Sequence, residues 1–389
     1  MTSKKVIQIA RPSMDEREWQ ALKEPLESGW LTQGPKVAAF EDAFAKRHSV
    51  KYAKAVSNCT TALHLALLAV GVKPGDVVVV PSFTWVSTAN AVEYCGATPL
   101  FCDIDPATYN LDPVSTEKVI KESLNKGFPV KAIIPVHLFG LCADMDAVLE
   151  LARKYEMAVV EDAACASGSS YKGRPAGSMG DVGCFSFHPR KVLVTGEGGM
   201  CTTNNEELAE KINCLRNHGA SLSEEQRHNS SAPYLMADFD CLGYNYRMSD
   251  LQGAVGLVQL EKLDAFIAER EQMAAYYASE LMQINWLSTP IVPAGLITNW
   301  QAYVCMLKSN APLTRDQLLA HLHKAGISAR VGTQAVHMLG FYRYKYQLNE
   351  DHCPVSRAVY YDSISLPLHN CMNEEDLPYV VQVLNEFTL

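Results

Sequence analysis

The chain has 389 residues, more than one hydrophobic core usually supports, and this length predicts about two or three domains. Its 48% hydrophobic and 20% charged residues are typical of a globular protein and exclude global disorder. The 43 Asp and Glu residues outnumber the 34 Lys and Arg residues, and the net charge of −9 does not favour nucleic-acid binding. No apolar run approaches the roughly 20 residues of a membrane helix, and residues 1–8 do not resemble a secretion signal. We therefore expect a cytoplasmic protein with neither a nucleic-acid partner nor a membrane partner.

The twelve cysteines do not indicate a metal site. No two of them are closer than seven residues in the chain, and neither a Cys-x-x-Cys nor a His-Glu-x-x-His motif occurs. Several cysteines lie in apolar stretches, for example Cys95 and Cys102. The pattern predicts reduced, buried thiols in a cytosolic protein and no bound metal.

Short β-rich runs alternate with helical patterns through the first part of the chain. Apolar residues at helical spacing predict helices at 37–48, 60–70, 114–125 and 144–155. Continuous apolar runs, typical of strands buried on both faces of a parallel sheet, predict strands at 77–81, 99–103, 131–137 and 157–162. This alternation implies right-handed crossovers and an open α/β sheet.

The second part of the chain has a different pattern. Residues 249–283 read as one long helix between two domains, and residues 220–233 form a polar stretch that predicts an exposed loop. A smaller α+β unit follows, with these predicted elements: a strand at 302–307, a helix at 314–325 and a last helix from about 374. We predict a large α/β domain over 1–265 and a small α+β domain over 266–389, and leave open whether the N-terminal segment packs with the small domain.

Two residues, an acid and a lysine, suggest what kind of reaction the protein catalyses. Asp162 ends an apolar strand, at the edge where open α/β sheets bind their ligands. Lys191 follows an aromatic segment and precedes a glycine-rich turn, and burial would lower the pKa of its amine and let it attack a carbonyl. An acid and a lysine placed in this way suit pyridoxal phosphate, with the acid on the pyridinium nitrogen and the lysine on the aldehyde. The pair alone is weak evidence, because many α/β proteins have a strand-end Asp and a loop Lys.

A phosphate site is indicated where a strand, a polar turn and a helix meet at 56–67. The helix N-terminus offers free N–H groups, and Thr60 and Thr61 add hydroxyls. Ordinary helix capping by Asn58 or Thr60 explains the same residues equally well. Trp85 lies just past a buried strand, where it could stack on a planar ring or simply pack in the core.

Segments throughout the chain resemble the DegT/DnrJ/EryC1/StrS family of sugar aminotransferases. They follow the order of the family and are these: Ser28-Gly-Trp-Leu-Thr-Gln-Gly-Pro, Val56-Ser-Asn-Cys-Thr-Thr-Ala-Leu, Pro135-Val-His-Leu-Phe-Gly, Glu161-Asp-Ala-Ala, Phe185-Ser-Phe-His-Pro-Arg-Lys, Gly196-Glu-Gly-Gly, Leu242-Gly-Tyr-Asn-Tyr-Arg-Met-Ser-Asp and Ser365-Leu-Pro-Leu-His. The resemblance implies the PLP-dependent transferase fold type I, with a mostly parallel sheet flanked by helices in a large PLP-binding domain. It also implies a homodimer whose active sites are shared between the subunits.

The resemblance assigns roles residue by residue. Lys191 matches the lysine that bonds to the cofactor, and Asp162 the acid on its ring nitrogen. The remaining cofactor contacts are the stacking residue and the phosphate-binding residues, which are Trp85, Thr60, Thr61, Ser186 and, from the other subunit, Asn245. Cys165 stands where the family usually has a Gln on the ring hydroxyl, Ser167 where it has a His, and Cys59 where a Gly is common.

The expected substrate contacts are less specific. Arg247, beside Tyr246, contacts the substrate or forms an interface salt bridge, and His188 contacts the substrate or shapes the turn before Lys191. His337 reaches the site from the small domain or lies at the surface. We also expect Arg330 or Arg343 to bind a phosphate or carboxylate.

The resemblance implies transamination. L-Glutamate gives its amino group to pyridoxal 5′-phosphate, which passes through the pyridoxamine 5′-phosphate form to a keto-sugar for polysaccharide or lipopolysaccharide synthesis. The sugar is a nucleotide-linked keto-hexose or a keto-octulosonic acid.

One alternative is a sugar dehydratase of the same fold, but such relatives carry His at the position of Lys191. Another is a non-catalytic regulator, which retention of both Lys191 and Asp162 disfavours. A nicotinamide enzyme is disfavoured because Gly196-Glu-Gly-Gly lacks G-x-G-x-x-G spacing.

Overall fold

The computed structural model describes residues 6–221, 236 and 238–387. Their helices are α1 (Glu16–Ala21), α2 (Lys23–Ser28), α3 (Pro35–Arg47), α4 (Cys59–Ala69), α5 (Ser87–Tyr94), α6 (Pro113–Asn125), α7 (Met145–Lys154), α8 (Glu206–Arg216), α9 (Asp250–Leu281), α10 (Arg315–Lys324), α11 (Gly340–Lys345), α12 (Pro354–Asp362) and α13 (Asp376–Asn385). The strands are β1 (Tyr52–Val56), β2 (Val77–Pro81), β3 (Phe83–Thr84), β4 (Thr98–Cys102), β5 (Val130–Ile133), β6 (Ala158–Asp162), β7 (Ser170–Tyr171), β8 (Arg174–Pro175), β9 (Val182–Ser186), β10 (Gly199–Thr203), β11 (Leu287–Ser288), β12 (Leu296–Ile297), β13 (Tyr303–Leu307), β14 (Arg330–Val331), β15 (Gln334–Ala335) and β16 (Ser363–Leu366).

A seven-stranded sheet forms the centre of the large unit, in the order β1-β10-β9-β6-β5-β2-β4. Strands β4, β2, β5, β6 and β9 are parallel to one another. Strand β10 pairs antiparallel with β9, and β1 pairs antiparallel with β10. Both faces of this sheet are covered by helices, and strands such as β2 are buried along their whole length. A mostly parallel sheet with two covered faces follows from the continuous Val, Ile and Ala runs of its strands. The predicted α/β fold is therefore confirmed.

The smaller unit has an antiparallel sheet in the order β11-β13-β16-β14. Its core includes residues of α9, α10 and α13, and Ile7 at the beginning of the described chain belongs to the same core. Ile7 also forms a parallel bridge with Ile327. The N-terminal segment thus packs with the small unit, which answers the question that the sequence left open.

Helix α9 connects the two units. Ser249 caps it in a reciprocal capping box with Gln252, and its first turns pack against α3, where Gly253 and Gly256 allow close approach. At Gly253 a Cβ would lie 2.8 Å from the backbone nitrogen of Val37. The helix therefore fixes the N-terminal part of the large unit to the small unit.

The predicted elements of both units are found, with bounds shifted by a few residues. The largest change is the run 131–137, where the strand β5 ends at Ile133 and an irregular segment carries His137 to the sheet edge. Most of the predicted loop 220–233 lies outside the described residues. Across the ranges that the structure describes, no helix is long and apolar enough to cross a membrane. All twelve cysteines are free thiols, and eight of them are buried, in agreement with the sequence prediction.

Candidate active site

Asp162 lies at the carboxyl end of β6, the middle strand of the large sheet. Its Oδ2 accepts a hydrogen bond from Thr88 Oγ1 at 2.8 Å, and its Oδ1 accepts one from the Ala164 backbone N–H at 3.2 Å. The carboxyl group is buried, and this burial raises its pKa against the opposing effects of Thr88, Ala164 and Lys191. A buried carboxylate of this kind is stabilised by a cationic group placed beside it.

Lys191 lies on the loop that follows β9, and its amine points towards Asp162 and two cysteines. Its Nζ donates to the Sγ of Cys165 at 3.0 Å. Burial acts to lower the pKa of Lys191, but the interactions of its amine with Cys165, Cys59 and Asp162 outweigh burial and raise this pKa. The expectation of a lowered lysine pKa was therefore wrong, because the sequence did not show which groups surround the amine.

The loop of Lys191 is held from both sides by one side chain of the small unit. Gln301 Nε2 donates to the carbonyl of Arg190 at 2.6 Å, and Gln301 Oε1 accepts from the N–H of Val192 at 3.1 Å. Behind the site, Asn299 Nδ2 donates to the carbonyls of Cys165 and Ser167, both at 2.9 Å. The segment that leads into β13 thus fixes the backbone on both sides of the Lys191–Cys165 contact.

The predicted phosphate turn lies at the N-terminus of α4. Asn58 caps this helix through the Thr61 N–H at 2.9 Å, and the Thr61 hydroxyl lies 3.3 Å from the Asn58 N–H in a capping box. Gly199 permits the approach of strand β10, since a Cβ there would lie 2.5 Å from the Asn58 carbonyl carbon. Gly199 pairs with Ser186 on its other side, and so the sheet brings Ser186 to the same turn. The structure shows the helix-capping role of Asn58, and it brings Thr60, Thr61 and Ser186, which were predicted to bind phosphate, to one helix N-terminus.

Trp85 follows β3 and is 60% exposed, an unusual environment for a tryptophan. Its carbonyl oxygen lies 3.2 Å from Thr88 Oγ1, the hydroxyl whose single proton makes the shorter hydrogen bond to Asp162. Thr88 therefore links the predicted stacking residue to the predicted ring-nitrogen partner. Core packing, the alternative for Trp85, is not observed.

Glu161 and His137 form a buried support beneath Asp162. His137 Nδ1 accepts the N–H of Ala143 at 3.1 Å, and its Nε2 donates to Glu161 at 2.8 Å. Glu161 also accepts the N–H groups of Gly177 at 2.8 Å, Met179 at 2.7 Å and Gly180 at 2.5 Å. Although burial acts to raise the pKa of Glu161, the bond from His137 and these N–H groups lower it below 4.5. Glu161, the neighbour of Asp162 in the chain, is thus structural, and it holds the 177–180 turn on the sheet.

We expect Glu161→Gln to lower the free energy of unfolding by about 1–3 kcal/mol at neutral pH. The NH₂ group of the new amide would face backbone N–H groups that now donate to the carboxylate. Since the folded-state pKa of Glu161 lies below its ordinary value, its contribution is complete above about pH 4.5 and is lost as the pH falls through the folded-state pKa. Urea unfolding of the variant and of wild type should therefore differ at pH 7 and converge in acid. Glu150→Gln, at an exposed carboxylate of α7, is the control; equal stability of all three proteins at pH 7 would contradict the role.

The segment 244–247 runs beside the phosphate turn of its own chain. The Ser57 N–H donates to the Tyr246 carbonyl at 2.8 Å, and Arg247 Nη1 donates to the Asn217 side chain at 3.0 Å. Asn245 pairs with Asn217 through the backbone and has an exposed side chain. The residue predicted to serve the other subunit therefore faces outward.

The predicted substrate residues occupy different environments. His188 shapes the turn before Lys191, since its Nδ1 accepts the Arg190 N–H at 3.2 Å and its carbonyl accepts the Lys191 N–H at 2.8 Å. Arg330 is exposed on β14, and Arg343 contacts the ring of Tyr344.

His337 does not match either of its predicted roles. Its side chain is completely buried, with Nδ1 bonded to the Ser82 hydroxyl and Nε2 lying 3.1 Å from the Glu350 carbonyl. It is neither a surface residue nor placed to contact a substrate, because both ring nitrogens are occupied within the protein.

These residues fit pyridoxal phosphate. The buried Asp162 lies at the edge of the sheet with the Lys191 amine beside it, the exposed Trp85 offers a ring face, and the α4 N-terminus offers N–H groups to a phosphate. The fold and the site together define a PLP-dependent transferase.

Comparison with known proteins gives the same class and narrows it. The profile of the DegT/DnrJ/EryC1/StrS aminotransferase family matches residues 12–385. GDP-perosamine synthase of Caulobacter vibrioides is 39% identical over 98% of both chains, and the spore coat polysaccharide biosynthesis protein SpsC of Bacillus subtilis is 40% identical over 96% of this chain and 95% of its own. The PLP form of an aminotransferase chain from Streptococcus pneumoniae superposes with a TM-score of 0.89, at 27% identity over 98% of both chains. The chain belongs to the DegT/DnrJ/EryC1/StrS aminotransferase family, and it is a sugar aminotransferase that uses pyridoxal phosphate.

Proposed function

We propose that the enzyme transfers the amino group of L-glutamate to a keto-sugar used for cell-surface polysaccharide or lipopolysaccharide synthesis. The observation that carries this proposal is the Lys191 amine, held 3.0 Å from Cys165 and directed towards the buried Asp162. Relatives that are named for GDP-perosamine and for a spore coat polysaccharide favour a nucleotide-linked keto-hexose over a keto-octulosonic acid as the acceptor.

The cofactor-binding residues follow from their positions. Thr60, Thr61 and Ser186 surround the N-terminus of α4 and suit the phosphate, which the positive end of the helix also attracts. Trp85 supplies the stacking face. Cys165, close to the lysine amine, takes the position facing the ring hydroxyl, where its thiol is a weaker donor than the usual amide.

We propose that Asn245 completes the phosphate site of the other subunit in a homodimer. Its side chain is exposed, and nearby Phe239 and Leu242 are 57% and 86% exposed, which is typical of residues that another chain covers. Arg247, beside Asn245, then borders the shared site and contacts the substrate.

The reaction assigns separate tasks to the two central residues. When bound, pyridoxal phosphate supplies an electron sink for the carbanion formed at the α-carbon of the donor. Asp162, fixed by Thr88 and Ala164, holds the proton on the ring nitrogen. Lys191 would hold the aldehyde of the cofactor through its Nζ, and as a free amine it would move the α-proton of the donor as a general base. We propose that the sugar enters beside the lysine loop, which carries His188 and Arg190, with Arg330 near Arg190.

The dehydratase alternative lacks support at this lysine. A dehydratase of the same fold would be expected to carry His at position 191, whereas this chain has a lysine whose amine is directed into the site.

We also propose a cytoplasmic location, because twelve free thiols are typical of proteins in a reducing compartment.

The test is the visible spectrum of the purified holoenzyme before and after addition of L-glutamate. We expect a yellow band that bleaches as the amino group moves to the cofactor, and that returns when the correct keto-sugar is added. GDP-linked and other nucleotide-linked keto-hexoses and keto-octulosonic acids would be compared as acceptors. A yellow band that does not respond to glutamate would contradict the proposed donor. If none of the keto-sugars restored the bleached band, the proposed acceptor class would be contradicted.

A further inference from the structure

Arg190, next to Lys191, and Arg330, near Arg190, carry charges that no described acidic side chain neutralises. Arg190 directly precedes Lys191, and Arg330 lies on β14 of the small sheet. Both side chains are exposed, and within residues 6–221, 236 and 238–387 neither forms an ion pair or a side-chain hydrogen bond. The chain carries a net charge of −9. Two arginines without an acidic partner at its active site are therefore unexpected if that surface contacts only solvent.

Gln301 fixes the loop of Arg190 to the sheet of Arg330. This side chain bonds to the backbone of Arg190 and Val192, and it lies two residues before β13. In the small sheet, Val304 of β13 pairs with Ser365 of β16, and Ser365 pairs with Arg330. The two arginines are therefore held in a defined relation, one from each unit.

The two guanidinium groups also affect each other. Burial and, after it, the charge of Arg190 lower the pKa of Arg330. Two like charges held near each other raise the electrostatic energy of the site, and a bound anion removes this cost. A guanidinium fork matches the oxygens of a carboxylate or phosphate better than any other side chain does.

We propose that Arg190 and Arg330 form a two-sided clamp for an oxyanion of the substrate, a carboxylate or a phosphate. The inference rests on the proposed function, which supplies two sources for that anion: the carboxylate groups of the amino donor and the diphosphate of a nucleotide-linked acceptor. Arg343 is not part of the clamp, because its Nη2 donates to the Tyr344 hydroxyl at 3.0 Å and its guanidinium lies 5.0 Å from the centre of that ring.

The experiment compares the holoenzyme with Arg190→Gln, Arg330→Gln and the charge-retaining Arg190→Lys and Arg330→Lys variants. The control is Arg153→Gln, which removes an exposed arginine from the end of α7. Three measurements are made: the glutamate concentration that half-saturates bleaching of the visible band, the Kd of glutarate and the Kd of guanosine diphosphate by calorimetric titration. Glutarate has two carboxylates and no amino group, and therefore tests carboxylate binding without transamination.

A clamp for the donor raises the half-saturating glutamate concentration and the Kd of glutarate about tenfold or more in both glutamine variants, with the maximal bleaching rate kept within about twofold. A clamp for the acceptor raises the Kd of guanosine diphosphate by a similar factor instead. The lysine variants recover part of the affinity, whereas Arg153→Gln matches wild type.

The clamp is overturned if both glutamine variants bind all probes as wild type does, including the case in which wild type binds none of them. If wild type fails to bleach with glutamate, the proposed donor is wrong, while the two titrations still decide whether the arginines bind an anion.

Discussion

Replacing Lys191 by alanine is expected to reduce transamination by about three orders of magnitude or more. The lysine amine supplies both the bond to the cofactor aldehyde and the base that moves the donor's α-proton, and no other described amine forms a contact with Asp162 or Cys165. Turnover with L-glutamate and an accepted keto-sugar is the first measurement. The second is the visible spectrum, in which the band of the lysine-bound cofactor should be absent.

Added primary amines provide a sharper test of the same variant. If Lys191 acts as a base, a small amine such as ethylamine should restore part of the turnover of Lys191→Ala, because it can enter the space of the deleted side chain. Lys46→Ala, at an exposed position of α3, should match wild type in both measurements. Turnover of Lys191→Ala within about tenfold of wild type would contradict the assignment.

The central residues of the site could be predicted from the sequence because each is fixed by a local pattern. An apolar strand that ends in an acid places Asp162 at the sheet edge, and a polar turn before a helix places Thr60 and Thr61 at its N-terminus. The order of strands and helices gave the mostly parallel sheet. The resemblance to a family supplied the pairing of Asp162 with Lys191, which spacing alone left open.

The supporting residues could not be found in this way because they depend on contacts between distant elements. Thr88 is 74 residues from Asp162 in the chain, and Gln301 is 109 residues from Val192. Asn299 bonds to the carbonyl of Cys165 across 134 residues. A Thr in a helix or an Asn and a Gln before a strand carry no sequence signal that distinguishes them from surface residues.

The error at His337 has a related cause. From the sequence, His337 was expected either to reach the site from the small domain or to lie at the surface. In the structure β15 pairs with β3, and this pairing carries the following turn onto Ser82 and buries the ring. A short two-residue strand pair between distant segments leaves almost no trace in the sequence.

Asp162→Asn is expected to lower turnover by about two orders of magnitude or more, with the fold retained. The Oδ1 of asparagine can still accept from the Ala164 N–H, and its Nδ2 can donate to the Thr88 hydroxyl oxygen, but it has no charge to hold a proton on the ring nitrogen. The electron sink is therefore weakened at the step that forms the carbanion, and the loss should appear in kcat and equally in kcat/KM. Exchange of the glutamate α-proton with D₂O, followed by NMR, measures this step directly.

Two companion variants separate charge from position. Thr88→Val removes the hydrogen bond that orients the Asp162 carboxylate and leaves its charge, and so we expect a smaller loss, about tenfold, in the same exchange rate. Asp264→Asn, at a carboxylate that is 79% exposed and paired with Arg47, should leave the exchange rate unchanged. If Asp162→Asn and Thr88→Val gave equal losses, orientation by Thr88 rather than charge would account for the effect. If Asp162→Asn exchanged the α-proton at the wild-type rate, Asp162 would not be the partner of the ring nitrogen, and the buried carboxylate at the end of β6 would need another cation.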